Sequence, residues 1–218
     1  FLFIENKRYL FFEGMPKKSK VGALYVQFES CVYHLEGITA GHKSFPSVFR
    51  YMDRYMLLVE SKANNRLEIY VGDDFPIKWT RLEGENAIGS FNDPTFLFQD
   101  DSLYVLTSID DSFFVIRCDI DFQSKKFTLT FDRNTPQLIG YQARNGGHLF
   151  THNNMLIRPV MVSDIYNYGK KIEYYKLFTE NGNLLKQEYI SQFSLDHLNY
   201  NTHHVQICGD HLVFDFRP

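Results

Sequence analysis

Polar side chains that could bind or transform a ligand precede three strand-like runs of the sequence. They lie in Asn92-Asp93-Pro94, in Arg144-Asn145-Gly146-Gly147 and in residues 201–204. Asp93 could bind a ligand or cap a turn, and Arg144 could bind one or lie on a solvated bend. Because His203 and His204 are adjacent on an extended run, they point to opposite faces and cannot chelate one metal ion together. We therefore predict ligand contacts for Asn92, Asp93, Arg144, His203 and His204, and no metal site.

Charged residues also occur at the ends of the strand-like runs that come next. They are Glu13, Glu60 and Arg158. Glu60 follows an apolar run, and a carboxylate emerging from a buried strand is expected to have an arranged partner and a raised pKa, as a general acid requires. A strand-end salt bridge explains Glu60 equally well. Tyr168, which precedes Gly169, could stack against a ligand ring or pack within its own loop.

A hairpin pattern recurs about every 50 residues and orders these side chains. In each copy, an anchor residue near the end of one strand is followed six residues later by the opening apolar residue of the next strand. The five pairs are Phe3/Tyr9, Phe49/Tyr55, Phe98/Tyr104, Phe150/Leu156 and Ile207/Val213. We predict one common register for all five, with Asn, Asp or Gly at the hairpin tips, where left-handed backbone is needed.

The repeat predicts an all-β fold, because hairpin repeats of this length are typical of β-propeller blades. We expect one domain, 1–218, forming a five-bladed β-propeller of four-stranded antiparallel blades. The blades are expected at about 1–42, 43–89, 90–140 and 141–193, with an incomplete one at 194–218 whose missing strands come from upstream of the N-terminus. A β-sandwich is the alternative. In a propeller the first strand of each blade lines the channel, so Asp93, Arg144 and His203 or His204 are predicted to converge there.

Charge and composition exclude several classes of function. The net charge of −3, with mixed signs along the chain, argues against nucleic-acid binding, which needs clustered Lys and Arg. The sequence has no apolar run of about 18 residues that would predict a transmembrane segment. Its three distant cysteines indicate neither disulfides nor a zinc site, and motifs for cofactors or nucleophiles are absent from it. A cytoplasmic setting is expected, with any membrane association through partners.

Several segments together resemble a known family. They are 1–14 (FLFIENKRYLFFEG), 45–61 (FPSVFRYMDRYMLLVES), 92–108 (NDPTFLFQDDSLYVLTS), 143–159 (ARNGGHLFTHNNMLIRP), Tyr168-Gly169 and His203-His204. The chain resembles the N-terminal domain of the glucosamine inositolphosphorylceramide transferase family, which also occurs in bacterial polysaccharide-locus proteins. The resemblance implies a role in glycan or glycolipid biosynthesis, with a sugar, glycolipid or polysaccharide ligand and a fused or separate glycosyltransferase domain.

That domain is in turn similar to the five-bladed propellers of arabinanase- and xylosidase-type glycosidases, which use carboxylates on the axis. The resemblance implies catalytic roles for Asp93, which matches an Asp-Pro strand start, and for Glu60, which lies near a carboxylate position. A strand-start Glu that would match the usual acid is missing from the sequence. Substrate contacts are then expected from Arg144, His203, His204, Asn92, Arg158, Tyr168 and Glu13. We expect a carbohydrate-binding propeller; a glycosidase and a protein-interaction propeller are the alternatives.

Overall fold

The structure is a computed structural model in which the chain forms β-sheets joined by short loops. It describes residues 2–4, 7–16, 19, 21–131, 138–139, 144–164, 168–180, 183–195, 198, 200–202, 204–208 and 211–215. By contacts the chain divides into two compact units. The first comprises Phe1–Val105 and Ile116–Phe131, and the second comprises Leu106–Val115 and Asp132–Pro218.

The first two sheets each contain four consecutive antiparallel strands. Sheet 1 consists of β1 (Leu2–Ile4), β2 (Lys7–Gly14), β3 (Ala23–Phe28) and β4 (Cys31–His34). Sheet 2 consists of β5 (Ser44–Tyr51), β6 (Arg54–Ser61), β7 (Arg66–Asp74) and β8 (Lys78–Arg81). A short 3₁₀ turn, Lys62–Asn64, joins β6 to β7. Within the described ranges, no helix is long and apolar enough to cross a bilayer.

Three further sheets follow along the chain. Sheet 3 contains β9 (Glu83–Glu85), β10 (Asn92–Gln99), β11 (Ser102–Ile109), β12 (Ser112–Asp121), β13 (Lys126–Thr130) and β14 (Leu138–Ile139), in the order β10-β11-β12-β13-β9 with β14 beside β12. Sheet 4 contains β15 (Phe150–His152), β16 (Met155–Val162), β17 (Lys171–Glu180) and β18 (Asn183–Phe193), and sheet 5 contains β19 (Val205–Cys208) and β20 (His211–Phe214). Four sheets therefore have the strand order of a propeller blade.

Tight turns of one kind close several of the hairpins. Both central residues have positive φ at Met52-Asp53, Asp100-Asp101, Asp110-Asp111 and Asn153-Asn154, with φ of 45° and 60° in the first. This is the type I′ pattern, whose twist matches that of the flanking strands and which favours Asn and Asp. The prediction of Asn and Asp at hairpin tips is confirmed at these turns.

The predicted common register of the five hairpins is wrong. Phe3, Phe98 and Ile207 each stand one residue before the end of their strand, whereas Phe49 and Phe150 stand two residues before it. A shift of one residue moves a side chain to the opposite face of the sheet. A spacing of six residues counts positions along the chain and does not fix how far the turn lies from the first aromatic residue.

The core of the first unit lies between sheets 1 and 2. Its buried members are Phe11, Leu24, Val26, Leu35, Leu57, Val59, Tyr70 and Trp79. Phe75 packs against this cluster and stacks on Tyr55, with ring centroids 3.9 Å apart. Burying each large apolar side chain contributes about 1.5–3 kcal/mol, so this cluster fixes sheets 1 and 2 and the loop between them. In the second unit, Met161, Ile172 and Val205 form a smaller cluster.

Candidate functional site

Glu60 and Asp93, the residues with predicted catalytic roles, are in direct contact in the first unit. Both are buried, and Glu60 Oε2 accepts a hydrogen bond of 2.8 Å from the backbone N–H of Asp93. Asp93 has φ +46° immediately before Pro94. A left-handed residue other than glycine costs about 1–3 kcal/mol, and a following proline restricts its backbone further. The Glu60 carboxylate therefore stabilises an unfavourable backbone conformation.

Asn92 precedes Asp93 and is half-buried. Its Nδ2 donates a hydrogen bond of 3.3 Å to the carbonyl oxygen of Ser90. This contact stays within the segment that leads into β10. Asn92 therefore helps to shape the strand start on which Asp93 lies.

Glu13, another predicted ligand contact, lies beside His42 in the first unit. His42 Nε2 lies 3.4 Å from Glu13 Oε1, and both side chains are partly exposed. His42 Nδ1 accepts a hydrogen bond of 2.8 Å from the backbone N–H of Gly22. The backbone N–H of Lys43 donates to the Gly22 carbonyl at 3.1 Å. These bonds tie the segment before β5 to the end of the loop before β3.

A buried ion pair holds this segment from the other side. Lys43 Nζ lies 3.3 Å from Glu68 Oε2 and donates to Ser61 Oγ at 2.8 Å and to the Ala40 carbonyl at 3.2 Å. The carboxylate of Glu68 also accepts hydrogen bonds from Thr39 Oγ1 at 2.8 Å, Tyr70 Oη at 2.6 Å and Asn64 Nδ2 at 3.1 Å. The ends of the loop 39–43 are thereby fixed to β6 and β7.

Burial shifts the ionisation of this cluster. Desolvation lowers the pKa of Lys43, and the nearby Glu68 carboxylate partly offsets that shift. Burial alone would raise the pKa of Glu68, but hydrogen bonds from Tyr70, Thr39 and Asn64, together with the Lys43 charge, hold it below its usual range. Burial also raises the pKa of Tyr70, and its bond to Glu68 adds to the rise. The network is a charged, fully hydrogen-bonded anchor.

Arg144 and Tyr168 are in contact in the second unit. Arg144 Nη2 donates a long hydrogen bond of 3.3 Å to Tyr168 Oη, and its guanidinium carbon lies 6.0 Å from the centre of the tyrosine ring. Tyr168 is 44% exposed. Aromatic faces of this kind suit the C–H surface of a sugar ring. The pair can therefore offer a stacking surface beside a hydrogen-bond donor.

Arg158, a predicted ligand contact, is fully buried. Its Nε donates to Asn145 Oδ1 at 2.7 Å, and its Nη1 donates to Gln187 Oε1 at 3.0 Å. The guanidinium lies 3.6 Å from the centre of the Phe113 ring. Asn145 Nδ2 in turn donates to the Leu106 carbonyl at 3.0 Å. Arg158 therefore holds the strand-start loop in place from inside the unit.

His204 lies close to a second histidine in the same unit. The rings of His148 and His204 are 5.9 Å apart and nearly perpendicular, and the His204 backbone N–H donates to Asp215 Oδ1 at 2.9 Å. The backbone N–H of Val205 donates to the Gly146 carbonyl at 2.7 Å, which brings the two strand starts together. His203 lies outside the described residues.

The structure brings some of the predicted site residues into contact with one another or with a neighbouring predicted segment. Glu60 contacts Asp93, Arg144 contacts Tyr168, and Arg158 contacts the loop of Arg144. The meeting of Asp93, Arg144 and His204 at one axis stays a prediction. Among the described residues, no group of three or more His, Cys, Asp or Glu side chains is arranged to hold a metal ion.

Sequence reasoning missed His42, Lys43 and Glu68, and it did not predict the contact of Asn145 with Arg158. Glu68 could have been noticed, because it is the only charged residue in the otherwise apolar run 67–71. Lys43 had no comparable signal, since lysine is almost never fully buried. The role of Asn145 depends on Arg158, which is distant in sequence, and no local pattern reveals that contact.

Comparison with known proteins identifies the family. A family model described as "Glucosamine inositolphosphorylceramide transferase 1, N-terminal" matches residues 1–197. The chain belongs to this family. Glucosamine inositolphosphorylceramide transferase 1 of Oryza sativa subsp. indica is 28% identical over 204 residues, and that of Arabidopsis thaliana is also 28% identical over 204. These alignments cover 87% of this chain and 26% of each relative, so the chain spans about a quarter of their length.

Solved structures that resemble the chain are propeller glycosidases. An exo-β-1,3-galactanase from Phanerochaete chrysosporium matches with a TM-score of 0.63 at 12% identity, covering 98% of this chain and 54% of that one. An endo-1,4-β-xylanase from Bacteroides thetaiotaomicron matches with a TM-score of 0.61 at 12% identity, covering 99% and 82%. At such identity the likeness concerns the fold alone. The predicted all-β propeller arrangement and the family resemblance are confirmed, while the count of five blades stays a prediction.

Proposed function

We propose that this domain binds the sugar part of a glycan or glycolipid during its assembly, as part of a glycosyltransferase or alongside one. Membership of the family supports the link to glycolipid synthesis. The plant relatives are named as transferases and are about four times as long as the matched region, which supports a role as one domain of a larger enzyme. The fold shared with sugar-cleaving enzymes supports a carbohydrate ligand.

The strained start of β10 carries this proposal. Asp93 holds a left-handed conformation before a proline, and a buried carboxylate on the neighbouring sheet supports it. Backbone strain of this kind clusters at functional sites, where surrounding structure over-determines it. A turn that served only to start a strand could use glycine at no such cost. We therefore assign Asp93 a direct contact with the ligand.

The contact that Glu60 makes favours a binding domain over a hydrolase. A general acid must present its proton to the ligand, whereas Glu60 Oε2 already accepts a hydrogen bond from the Asp93 N–H. We therefore assign Glu60 the role of positioning Asp93. Glycoside hydrolysis by Asp93 and Glu60 is the second candidate, favoured by the fold shared with glycosidases.

Tyr168 and Arg144 are assigned to ligand contacts in the second unit. The exposed tyrosine ring supplies an apolar face, and the guanidinium beside it donates hydrogen bonds to sugar oxygens. Neither assignment requires a reaction. Both fit a domain that holds a sugar for a partner active site.

Binding and hydrolysis can be separated with two assays on the same protein. We would measure binding of the 218-residue chain to a glycan array and turnover of a panel of aryl glycosides, for the wild type, Asp93→Asn and the control Asp53→Asn at an exposed hairpin tip. We expect array binding that Asp93→Asn weakens and Asp53→Asn does not, with no turnover. Turnover that Asp93→Asn abolishes would establish the hydrolase instead. An array without a single bound glycan, together with no turnover, would refute both and favour a protein-interaction propeller.

A further inference from the structure

Glu13 and Glu60 occupy the same position in two successive sheets. Glu13 follows Lys7, the first residue of β2, by six residues, and Glu60 follows Arg54, the first residue of β6, by six. Each pairs with a leucine on the next strand, Leu24 or Leu67. Each carboxylate also contacts the segment that leads into the next sheet, Glu60 at Asp93 and Glu13 at His42. The repeat therefore carries a glutamate at the same position in both sheets.

The two copies differ in their access to solvent. Glu60 is 8% exposed and Asp93 is 7% exposed. The side chains of Glu13 and His42 are 31% and 37% exposed. The Glu13 pair is therefore more exposed to solvent than the pair of Glu60 and Asp93. Since both carboxylates start from equivalent positions, the difference comes from the partner segment.

The partner segment is built to hold His42 in one orientation. Lys43 is buried against Glu68 and Ser61, so the preceding residue, His42, is directed outward. Gly22 donates its backbone N–H to His42 Nδ1. In the neutral imidazole, the proton is therefore on Nε2, the nitrogen that faces Glu13. The 3.4 Å between Nε2 and Glu13 Oε1 is longer than an ordinary N–H···O hydrogen bond, so the pair presents one N–H donor beside one carboxylate acceptor.

Gly22 also leaves the space in which this pair lies. A Cβ atom at Gly22 would overlap Glu13 Oε1 and lie 2.9 Å from His42 Cε1. Any other residue would therefore displace the carboxylate from the imidazole. Because the displaced atoms are the ends of side chains, a substitution there should move the pair while leaving the strands intact.

We propose that Glu13 and His42 bind two neighbouring hydroxyl groups of a sugar ring. The Glu13 carboxylate accepts a hydrogen bond from one hydroxyl, and His42 Nε2–H donates to the oxygen of the other. This inference rests on the proposed function and adds a defined hydroxyl site to it.

The test uses variants that remove one group at a time from the 218-residue chain. Glu13→Gln removes the charge, His42→Asn keeps an acceptor for the Gly22 N–H but lacks Nε2–H, and Gly22→Ala displaces the carboxylate without changing any charge. Glu29→Gln, at an exposed glutamate, is the matched control. Far-ultraviolet circular dichroism would verify that each variant keeps its strands.

Binding would be measured by ligand-observed NMR titration with methyl glycosides of glucose, galactose, mannose, xylose and arabinose and with their deoxy analogues. We expect each of the three variants to weaken binding by about tenfold or more, the worth of one charge-assisted hydrogen bond. A deoxy analogue that lacks the hydroxyl bound by Glu13 should bind the wild type about tenfold more weakly than the parent sugar does. The same analogue should lose little further affinity when Glu13 is replaced by Gln.

The outcomes separate this inference from the proposed function. If the wild type binds a sugar and Asp93→Asn weakens binding, but Glu13→Gln, His42→Asn and Gly22→Ala bind like the wild type, the hydroxyl site is refuted and the proposed function stands. If the wild type binds none of the sugars here and no glycan on the array, both fail. A Gly22→Ala effect as large as that of Glu13→Gln would support the site most strongly.

Discussion

Replacing Lys43 by methionine tests the buried anchor that positions both the segment 39–43 and His42. The substitution keeps an unbranched side chain that is one atom shorter, and it removes the ammonium group with its charge. It leaves Glu68 buried without its counter-charge but with three hydrogen-bond donors, Tyr70, Thr39 and Asn64. We expect the folded state to lose stability and His42 to lose its fixed position.

The size of the loss follows from what remains around Glu68. Removing one partner of a buried ion pair usually costs about 3–5 kcal/mol. Because the remaining donors at 2.6 Å and 2.8 Å still satisfy the carboxylate, we expect a cost at the lower end, about 3 kcal/mol. In the double variant Lys43→Met, Glu68→Gln no buried charge is left. Its cost should therefore fall short of the sum of the single variants by at least about 1 kcal/mol.

Urea unfolding followed by tryptophan fluorescence would measure these costs. Trp79 is the only tryptophan in the chain and lies in the core of the first unit, so its signal reports on the unit that contains Lys43. Lys62→Met, at an exposed lysine in the 3₁₀ turn, is the control and should change stability by less than about 0.5 kcal/mol. Strict additivity of Lys43→Met and Glu68→Gln, or a Lys43→Met cost equal to that of the control, would refute the ion-pair anchor.

Three further predictions concern other parts of the molecule. The pKa of Glu68 is lowered in the folded state, so its contribution to folding stability is present above the ordinary glutamate pKa of about 4.3 and is lost as pH falls through the lower folded value. As pH is lowered from 7 to 3, the urea midpoint should therefore fall more steeply for the wild type than for Glu68→Gln. Parallel curves would contradict this. At Gly147 a Cβ would overlap the Val205 carbonyl oxygen, so Gly147→Ala should lower the free energy of unfolding by about 3 kcal/mol. The control Gly72→Ala should be tolerated, because its Cβ would meet its neighbours at 3.6 Å. Equal urea midpoints for the two variants would be inconsistent with the close approach at Gly147. Burial raises the pKa of Cys118 to about 12, so in a Cys31→Ser, Cys208→Ser variant the remaining thiol should resist a disulfide reagent at pH 8 until the protein is unfolded; rapid reaction of the folded protein would show that it is accessible.

Local chemistry explains which features the sequence could predict. Asp100-Asp101 and Asn153-Asn154 identify hairpin tips because left-handed turns select Asn and Asp wherever they occur. The six-residue spacing puts Phe49 and Phe98 at equivalent positions, yet they stand at different distances from the ends of their strands. Which face a residue occupies is decided by the turn and the neighbouring sheet, and aromatic content does not record that choice.

The partners of the charged residues could not be predicted for a different reason. An arranged partner was expected for Glu60, and that partner is the backbone N–H of Asp93, a group that every residue except proline possesses. The predicted ligand contact of Arg158 stays a prediction, and the contacts that the structure shows for it are with Asn145 and the Phe113 ring. Both contacts join residues distant in sequence, so they depend on the packed fold and on no local pattern.

A recurring pair on the third strands shows how one structural device can lead to different surfaces. Tyr70 Oη donates to Glu68 at 2.6 Å, and Tyr175 Oη donates to Glu173 at 2.6 Å. Lys43 and Arg144 both stand nine residues before a hairpin turn. Lys43 forms an ion pair with Glu68, whereas the cation beside Glu173 is Lys171, at 2.8 Å. With that charge supplied by the strand itself, the anchor no longer requires the strand-start residue. Arg144 contacts the exposed Tyr168 instead, so equivalent positions lie in a buried ion pair in one unit and beside an exposed aromatic ring in the other.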